Sequence, residues 1–539
     1  MLKHIHIENY RILRNFDFSP KSGVNILVGD NEAGKSTLLE AVSLALTGKV
    51  NGRWAQDELN PFWFTKEVAK QFFAQLNEDR AKATPPEILI EVELKNDNGE
   101  LSHLKGQVHT SESDTAGLRL HIHPDAQLAS ELQEYLAQPD LPPLIPVEFY
   151  TCTWTSFKGE RVGRQPKEIS LAQIDSRTIR STSGVDYYTR NLLREYVNPE
   201  ESRSISIEHR KSRSAISSGL LSSISTKLTE DQKDLGLGLQ MDQSSNSAWD
   251  SSVVPVINDL PFSMSGQGQQ VRAKVELSLA RNSSKQLILI EEPENHFSHT
   301  SLLSLLGRLQ AISGQQLLVS THSTYVLNRL GLDRLSLLYG GGVAQFGQLT
   351  SETVSFFRRL SGFNTLRVVL ARKVVAVEGP SDEMIFKWAY QAKYSHSPES
   401  DGIDVISFGI SGARVLELAT ALKRPIAVLR DNDRKPPEHW QSLVSEFLES
   451  GSRQMFVGAV EDGHTLEPQM ADANQALLSE FSEAIGYPSD REKTDSSIVD
   501  WMKDNKTDWA WNLVSGSQTG VLTAPQYILD AAEFIHDVA

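Results

Sequence analysis

Val377-Glu378-Gly379-Pro380-Ser381-Asp382 and Arg430-Asp431-Asn432-Asp433 decide the reading of this chain. Each follows an apolar run: Lys373-Val374-Val375-Ala376-Val377 before the first and Pro425-Ile426-Ala427-Val428-Leu429 before the second. Short, continuous runs of this kind, rich in β-branched residues, read as buried strands. A glutamate therefore stands at the C-terminal end of one strand, and two aspartates, two residues apart, at the end of another. In an open α/β sheet that edge is where ligands and catalytic groups gather. Carboxylates converging there suit Mg²⁺ or Mn²⁺, hard cations that take oxygen ligands and keep positions open for phosphate oxygens.

From Lys373 onward strands and helices alternate, the pattern of a parallel doubly wound sheet. Asp404–Gly409 reads as the second strand, Ser411-Gly412-Ala413-Arg414 as the start of a helix, and Arg453–Gly458 as a fourth strand leading to Glu461, Asp462 and Thr465-Leu466-Glu467-Pro468. Ser381 is expected to cap a helix over 382–390 and to keep Asp382 close to Glu378. Asp431 and Asp433 are expected on one side of an extended segment, since strand side chains alternate. Phosphodiester transfer needs such a cluster: two cations roughly 3.5–4 Å apart activate a water and stabilise the leaving oxygen. One site would use Glu378, Asp431 and Asp433, and the other would draw on Asp382 and Glu467. Singly these motifs are weak, because acids at turns are common. Together, at strand ends and in this order, they resemble a Toprim domain, the metal-dependent fold of topoisomerases, primases and a group of nucleases.

Earlier in the chain, Gly29-Asp30-Asn31-Glu32-Ala33-Gly34-Lys35-Ser36-Thr37 fits the P-loop pattern in full, between the strand Val24–Val28 and the helical Leu38–Val42. Backbone N–H groups close around phosphate oxygens there, Lys35 neutralises them, and Ser36 offers its hydroxyl to Mg²⁺. Gln286–Ile290 is a buried strand ending in Glu291 and Glu292; Glu291 would hold Mg²⁺ through water and Glu292 would polarise the attacking water. Ser265-Gly266-Gln267-Gly268 opens a helix and resembles the signature motif of ABC-type ATPases. Leu317–Ser323 is a strand ending in His322, a residue suited to sensing the γ-phosphate of ATP. Two positions depart from the pattern: Glu291 stands where an aspartate is usual, and Gln267 breaks the glycine pair. In this ATPase class the signature helix completes the partner's site, so the resemblance implies a homodimer or a higher even oligomer. The opening Ile7-Glu8-Asn9-Tyr10-Arg11 resembles the recombination-repair and chromosome-maintenance branch.

The boundaries expected are an ATPase first half at 1–150, a helical insertion at 151–245, an ATPase second half with linker at 246–370, and the Toprim domain at 371–539. The insertion is rich in Ser, Arg and Lys, with the basic Arg203–Arg213 and the apolar pairs Leu192-Leu193 and Leu220-Leu221. It reads equally as a dimerising or DNA-touching module and as a solvated face with the loop Ser244–Ser247. Between Phe356 and Lys373 stand five basic residues and no acid, which fits a nucleic-acid path or an interdomain amphipathic helix equally. One cysteine, Cys152, excludes an intrachain disulfide, and the N-terminus alternates like a strand rather than a signal peptide, so a cytoplasmic protein without a membrane segment is expected. The formal charge of −16 argues against a chain that coats nucleic acid indiscriminately, while a local basic groove stays open.

Thr465-Leu466-Glu467 and the late Lys506-Thr507-Asp508-Trp509-Ala510 complete the set. The arrangement resembles the OLD (overcoming lysogenization defect) family of ATP-dependent nucleases, in which an ABC-type ATPase interrupted by a dimerisation insert precedes a Toprim nuclease. That resemblance implies ATP and Mg²⁺ or Mn²⁺ in both sites, DNA as substrate, Lys506 near the scissile phosphate, and service in defence against phage. The competing readings are a recombination-repair type DNA-binding ATPase, or a sensor subunit dependent on a separately encoded partner, with the Toprim domain as a docking module. A topoisomerase or primase is less apt: no tyrosine-nucleophile domain is apparent, and a single cysteine cannot build a zinc ribbon.

Overall fold

The computed structural model describes residues 1–30, 32–50, 53–80, 83–175, 196–231, 239–242, 249, 253–266, 268–270, 272–273, 286–295, 302–307, 314–323, 326, 334–339, 341–345, 350–359, 367–409, 412–516 and 521–538. Two compact units divide the chain. One comprises Met1–Leu171, Ser284–Leu289 and Leu306–Ala539, the other Ala172–Ser283 and Ile290–Leu305.

In the first unit, β1 (Leu2–Tyr10), β2 (Leu13–Phe18), β4 (Ile88–Leu94), β5 (Thr115–Pro124) and β6 (Tyr150–Ser156) form an antiparallel sheet in the order β2-β1-β4-β5-β6. A second sheet contains β3 (Val24–Val28), β7 (Gln286–Glu291), β8 (Gln316–Ser320), β9 (Leu335–Tyr339) and β10 (Gly342–Gln345) in the order β7-β8-β3-β9-β10. All five residues of β3 are buried, as a central strand flanked by parallel neighbours requires. Helix α1 (Lys35–Thr47) follows it and buries Leu38, Leu39, Val42 and Leu46 in the core that both sheets share. Two glycines between β3 and α1 are dictated by space and backbone. A Cβ on Gly29 would lie 2.5 Å from the Leu338 carbonyl oxygen, and Gly34 caps α1 at φ 96°, a left-handed conformation that side chains resist.

The second unit carries α2 (Pro199–Ser218) and α3 (Leu220–Asp231). Asn198 starts α2 by accepting from the Glu200 and Glu201 N–H groups while the Glu201 carboxylate accepts from the Asn198 N–H, the reciprocal cap that the Asn-Pro-Glu-Glu sequence permits. The basic Arg203–Arg213 segment lies on α2, with Ile207 exposed, and Leu220 opens α3 exposed. Leu192, Leu193 and Ser244–Ser247 lie outside the described residues.

The C-terminal part of the first unit is a four-stranded parallel sheet of β11 (Lys373–Val377), β12 (Ile403–Ser407), β13 (Ile426–Arg430) and β14 (Arg453–Val457), in the order β12-β11-β13-β14. The first crossover runs outward to β12 and the next returns to the other side of β11. Strand order therefore reverses between β11 and β13, and the crevice at their C-terminal ends is the natural ligand site. Helices α5 (Pro380–Tyr394), α8 (Leu466–Ala473), α9 (Lys506–Ser515) and α10 (Gln526–Asp537) pack with Val375, Val377, Ala427 and Leu429 in one apolar core. Two shorter-range helices complete the connections used below, α6 (Gly412–Leu422) after β12 and α7 (Pro437–Leu443) after β13.

Helix α4 (Ser351–Arg359) joins the ATPase sheet to this domain. Its N-terminus is held by Glu417 of α6, a buried carboxylate that accepts from the Thr350 N–H (2.6 Å), the Thr350 hydroxyl (3.1 Å) and the Thr353 hydroxyl. A negative charge at a helix N-terminus satisfies its unpaired donors and opposes its dipole. Phe357 is fully buried against Phe408, Arg367 grips Asp404 through two nitrogens, and Lys373 donates to the His536 carbonyl. Each of these three residues is thus engaged by a partner within the protein. Glu417→Ala would leave buried donors unpaired at a cost of about 1–3 kcal/mol. Amide exchange across Thr353–Arg359 should then speed up roughly 5–150-fold, whereas unchanged exchange would mean that apolar packing alone holds α4.

Candidate functional site

Glu378 follows β11 directly and Asp431 follows β13 directly, so the reversal of strand order places both at one crevice. Asp382 joins them from the first turn of α5. Its carboxylate accepts from the Gly379 N–H at 3.0 Å, so Asp382 rather than Ser381 closes the helix start. Ser381 instead donates its hydroxyl hydrogen to the Lys506 carbonyl at 3.3 Å, which brings the exposed Lys506, first residue of α9, beside α5 across 125 residues of sequence. Glu467, in the first turn of α8, accepts from the Thr465 hydroxyl at 2.7 Å.

Asp433 departs from expectation. The segment after Asp431 is not extended: Asp433 and Arg434 adopt φ values of 46° and 64°. Asn432 is the cause. Fully buried, its amide donates to the carbonyls of Gly458 (3.2 Å), Ala459 (2.9 Å) and Gly463 (2.6 Å), while its side-chain oxygen accepts from the Arg434 N–H (2.9 Å). This is the local side-chain turn at which asparagine excels. It sends Asp431 inward and leaves the Asp433 side chain 51 % exposed, paired with Arg430 at 3.2 Å.

Electrostatics mark the crevice as strained. Burial, reinforced by Asp382, Glu378, Glu467 and Asp433, pushes the Asp431 carboxyl from an ordinary 3.8 up to about 8. Burial and then Glu378 raise Asp382 to about 7, and burial raises Glu378 although Arg430 pulls the other way. One oxygen of Glu378 and one of Asp431 are buried without a hydrogen-bond partner. Buried acceptors in this condition are costly, and a divalent cation is the group that would satisfy them. Among the described residues no three His, Cys, Asp or Glu side chains stand ready-made around a metal position. The acids are instead turned to local partners: Asp382 to Gly379, Glu467 to Thr465, Asp433 to Arg430. Residues that the sequence reading did not single out also border the crevice. Tyr527 of α10 is buried, with its proton held tightly by burial and by the charges of Asp382 and Asp431, and Trp440 of α7 donates its indole N–H to the Asn432 carbonyl at 2.8 Å. Tyr527 has no sequence signal, since it lies on a helix whose apolar pattern accounts for an aromatic residue, and Trp440 stands on a short helix that buries none of its residues.

At the ATPase site, Lys35 is buried and donates to the carbonyls of Gly29 (2.7 Å) and Asp30 (2.9 Å). Ser36 and Thr37 follow on the first turn of α1. Parallel pairing of β8 with β3 brings Thr321 and His322 to the edge from which the P-loop leaves, and the Thr321 N–H donates to Leu27 at 3.1 Å. In the second unit, Glu291 is buried, Glu292 adopts φ 45° and accepts from Asn295 at 2.7 Å, and the carbonyl of the buried Ser265 accepts from Gln270 at 2.8 Å beside the exposed Gly266. Asn31 and Gln267 lie outside the described residues.

Fold and crevice define a Toprim-type domain carried behind a P-loop ATPase. Family comparisons make this specific: residues 4–243 and 260–328 match AAA domain families, and residues 369–433 match the family described as Overcoming lysogenization defect protein-like, TOPRIM domain. The chain thus joins an AAA-type ATPase to an OLD-like Toprim domain. A stretch of 46 residues is 46% identical to the DNA double-strand break repair Rad50 ATPase of Methanopyrus kandleri, covering 8% of this chain and 5% of that protein. Another of 48 residues is 42% identical to the DNA replication and repair protein RecF of Nitrosococcus oceani, covering 9% and 13%. The matches thus span a small fraction of these curated relatives. Among solved structures, the C-terminal region of the Burkholderia pseudomallei OLD protein is similar over 31% of this chain and 99% of that chain, at 25% identity and a TM-score of 0.23. The recombination mediator RecF with ATP is similar over 64% and 97%, at 13% identity and a TM-score of 0.33. No helix among the described residues is long and apolar enough to cross a membrane.

The raised carboxyl values set a pH dependence. Between about pH 4 and 8 the folded protein holds protons on Asp382 and Asp431 that the unfolded chain has lost. Stability of the metal-free protein is therefore full at the acid end of that window and is lost as pH rises through about 7 and 8. Mg²⁺ should raise the melting temperature more at pH 8 than at pH 5, and Asp431→Asn should raise it at pH 8 without metal while removing the Mg²⁺ effect. Equal Mg²⁺ shifts at both pH values would contradict the crevice as the binding place.

Proposed function

We propose that this chain is an ATP-regulated, divalent-metal-dependent DNA endonuclease. The observation that carries the reading is the crevice where strand order reverses, with buried oxygens on Glu378 and Asp431 that lack a hydrogen bond and Lys506 brought alongside by α9. Glu378, Asp431 and Asp433 would hold one cation, and Asp382 and Glu467 a second. When bound, two divalent cations supply an activated water and offset charge on the leaving oxygen. Lys506 would set an ammonium against the phosphoryl oxygens, where charge grows in the transition state. In the ATPase, Lys35 and Ser36 would receive the phosphates and Mg²⁺, Glu291 would hold that ion, Glu292 would orient water, and His322 would read the γ-phosphate.

We also propose a cytoplasmic homodimer or higher even oligomer serving in defence against phage. The exposed Ile207 and Leu220 on α2 and α3 support assembly through the second unit, and the OLD-like Toprim match supports the defensive role.

Incubating the protein with supercoiled plasmid and Mg²⁺, Mn²⁺ or EDTA, with and without ATP, tests the activity. Glu378→Ala and Asp431→Ala should abolish cleavage while ATP binding persists. Lys506→Ala should slow single-turnover cleavage about a hundredfold or more, a loss of roughly 2.7–4 kcal/mol, at nearly unchanged DNA affinity. DNA binding without cutting under every condition would favour the repair-type ATPase instead. For assembly, Glu292→Gln should bind ATP, hydrolyse it slowly and accumulate as a dimer in light scattering; a monomer with ATP present would rule the dimer out.

A further inference from the structure

Arg430 ends β13 inside the acid crevice, with its side chain only 13 % exposed. Its Nη1 lies 3.7 Å from Glu378 Oε1 and its Nη2 3.2 Å from Asp433 Oδ2. It thus bridges the acid that follows β11 and the acid that follows β13, across the point where strand order reverses. The guanidinium carbon sits 3.8 Å from the centre of the Trp440 ring. Trp440 is itself fixed, because its indole N–H is bonded to the Asn432 carbonyl between the two aspartates. A planar cation is therefore held by an aromatic face anchored to the same turn as Asp431 and Asp433, an arrangement that favours a guanidinium over an ammonium.

Glu378 and Asp433 are both among the residues proposed to hold a divalent ion, and both are already engaged by this internal cation. A divalent ion entering between them meets a fixed positive charge within a few ångströms. At such a distance near a protein surface, like charges repel by several kcal/mol. We propose that Arg430 is the resident counter-cation of the crevice: it keeps Glu378 and Asp433 paired before metal arrives, and divalent ions must displace it, so that it sets the metal concentration at which the site loads. This rests on the reading of the crevice as a divalent-cation site. Arg430 is a positioning residue in this account, acting through the carboxylates.

Mn²⁺ titration of the full chain by calorimetry, without nucleotide, provides the test. Arg430→Met keeps the length and removes the charge, and should tighten Mn²⁺ binding about tenfold or more. Arg430→Lys keeps a charge but loses the stacked fork, and should tighten Mn²⁺ binding by less than Arg430→Met. The opposite sign for Arg430→Met, weaker or unchanged binding, overturns the proposal and makes Arg430 a structural prop of the site. Should Arg430→Met fold poorly by circular dichroism, Trp440→Leu releases the guanidinium from its platform and should likewise tighten binding, with no gain counting against the proposal. Asp431→Ala separates the two readings. If it abolishes Mn²⁺ binding while neutral substitutions at Arg430 bring no gain, the metal site stands and the counter-cation does not. A parent protein that binds no Mn²⁺ at the crevice sinks both.

Discussion

Carboxylates crowded into a half-dry crevice repel one another, and a fold that gathers them there must supply protons, donors or positive charge. Every local feature of the Toprim crevice answers that demand. Asp431 and Asp382 hold their protons into the neutral range. Asp382 also takes the Gly379 N–H, Glu467 takes a hydroxyl, and Glu378 and Asp433 share Arg430. The reversal of strand order between β11 and β13 is what makes the crowding unavoidable, since it points both strand ends at one place. Carboxyls perturbed in this way cluster at functional sites.

The same parallel sheet is tied to the ATPase through α6. Glu417, midway along this helix, fixes the start of α4, and Arg424, just past its end, is half-buried with Asp30 of the P-loop and Tyr339 of β9 as its charged surroundings. The front of the helix lies against β13, where Gly412 approaches Val428, two residues before Arg430. The helix and the residues just after it thus reach toward the P-loop segment at one end and the strand preceding Asp431 at the other.

How much of this was legible in the sequence follows from what kind of signal each feature leaves. The strands before Glu378 and Asp431 are continuous apolar runs because helices cover both faces of a parallel sheet, so their existence and ends could be read. The P-loop was legible because its glycines are demanded by backbone geometry at Gly29 and Gly34. The turn through Asn432 was not, since its shape comes from three carbonyls contributed by the loop after β14, some 26 to 31 residues away. The helix start at Asp382 was assigned to Ser381 because both residues cap helices well, and only the fold tells which one faces the Gly379 N–H. Tyr527 was invisible because an aromatic residue on an amphipathic helix has the same pattern whether or not it borders a site, and Trp440 because the short α7 buries none of its residues.

Charge gives the last link. With a formal −16 overall, the chain as a whole repels a polyanion, and attraction must come from where cations are placed. Exposed Arg434 and Lys435 directly follow Asp433, and the carbonyl of exposed Lys506 is bonded to the Ser381 hydroxyl. Two of these cations share the turn after β13 with Asp431 and Asp433, and Lys506 opens the helix bonded to the start of α5, which carries Asp382. In ionised form these acids, with Glu378 and Glu467, repel phosphate. On the nuclease reading, productive contact with a phosphodiester backbone therefore depends on metal loading first, and the surrounding basic residues then serve to position a strand that the acids no longer repel. On that reading electrostatics sets the order of events: an unloaded crevice would repel a phosphodiester strand, and a loaded one would attract it.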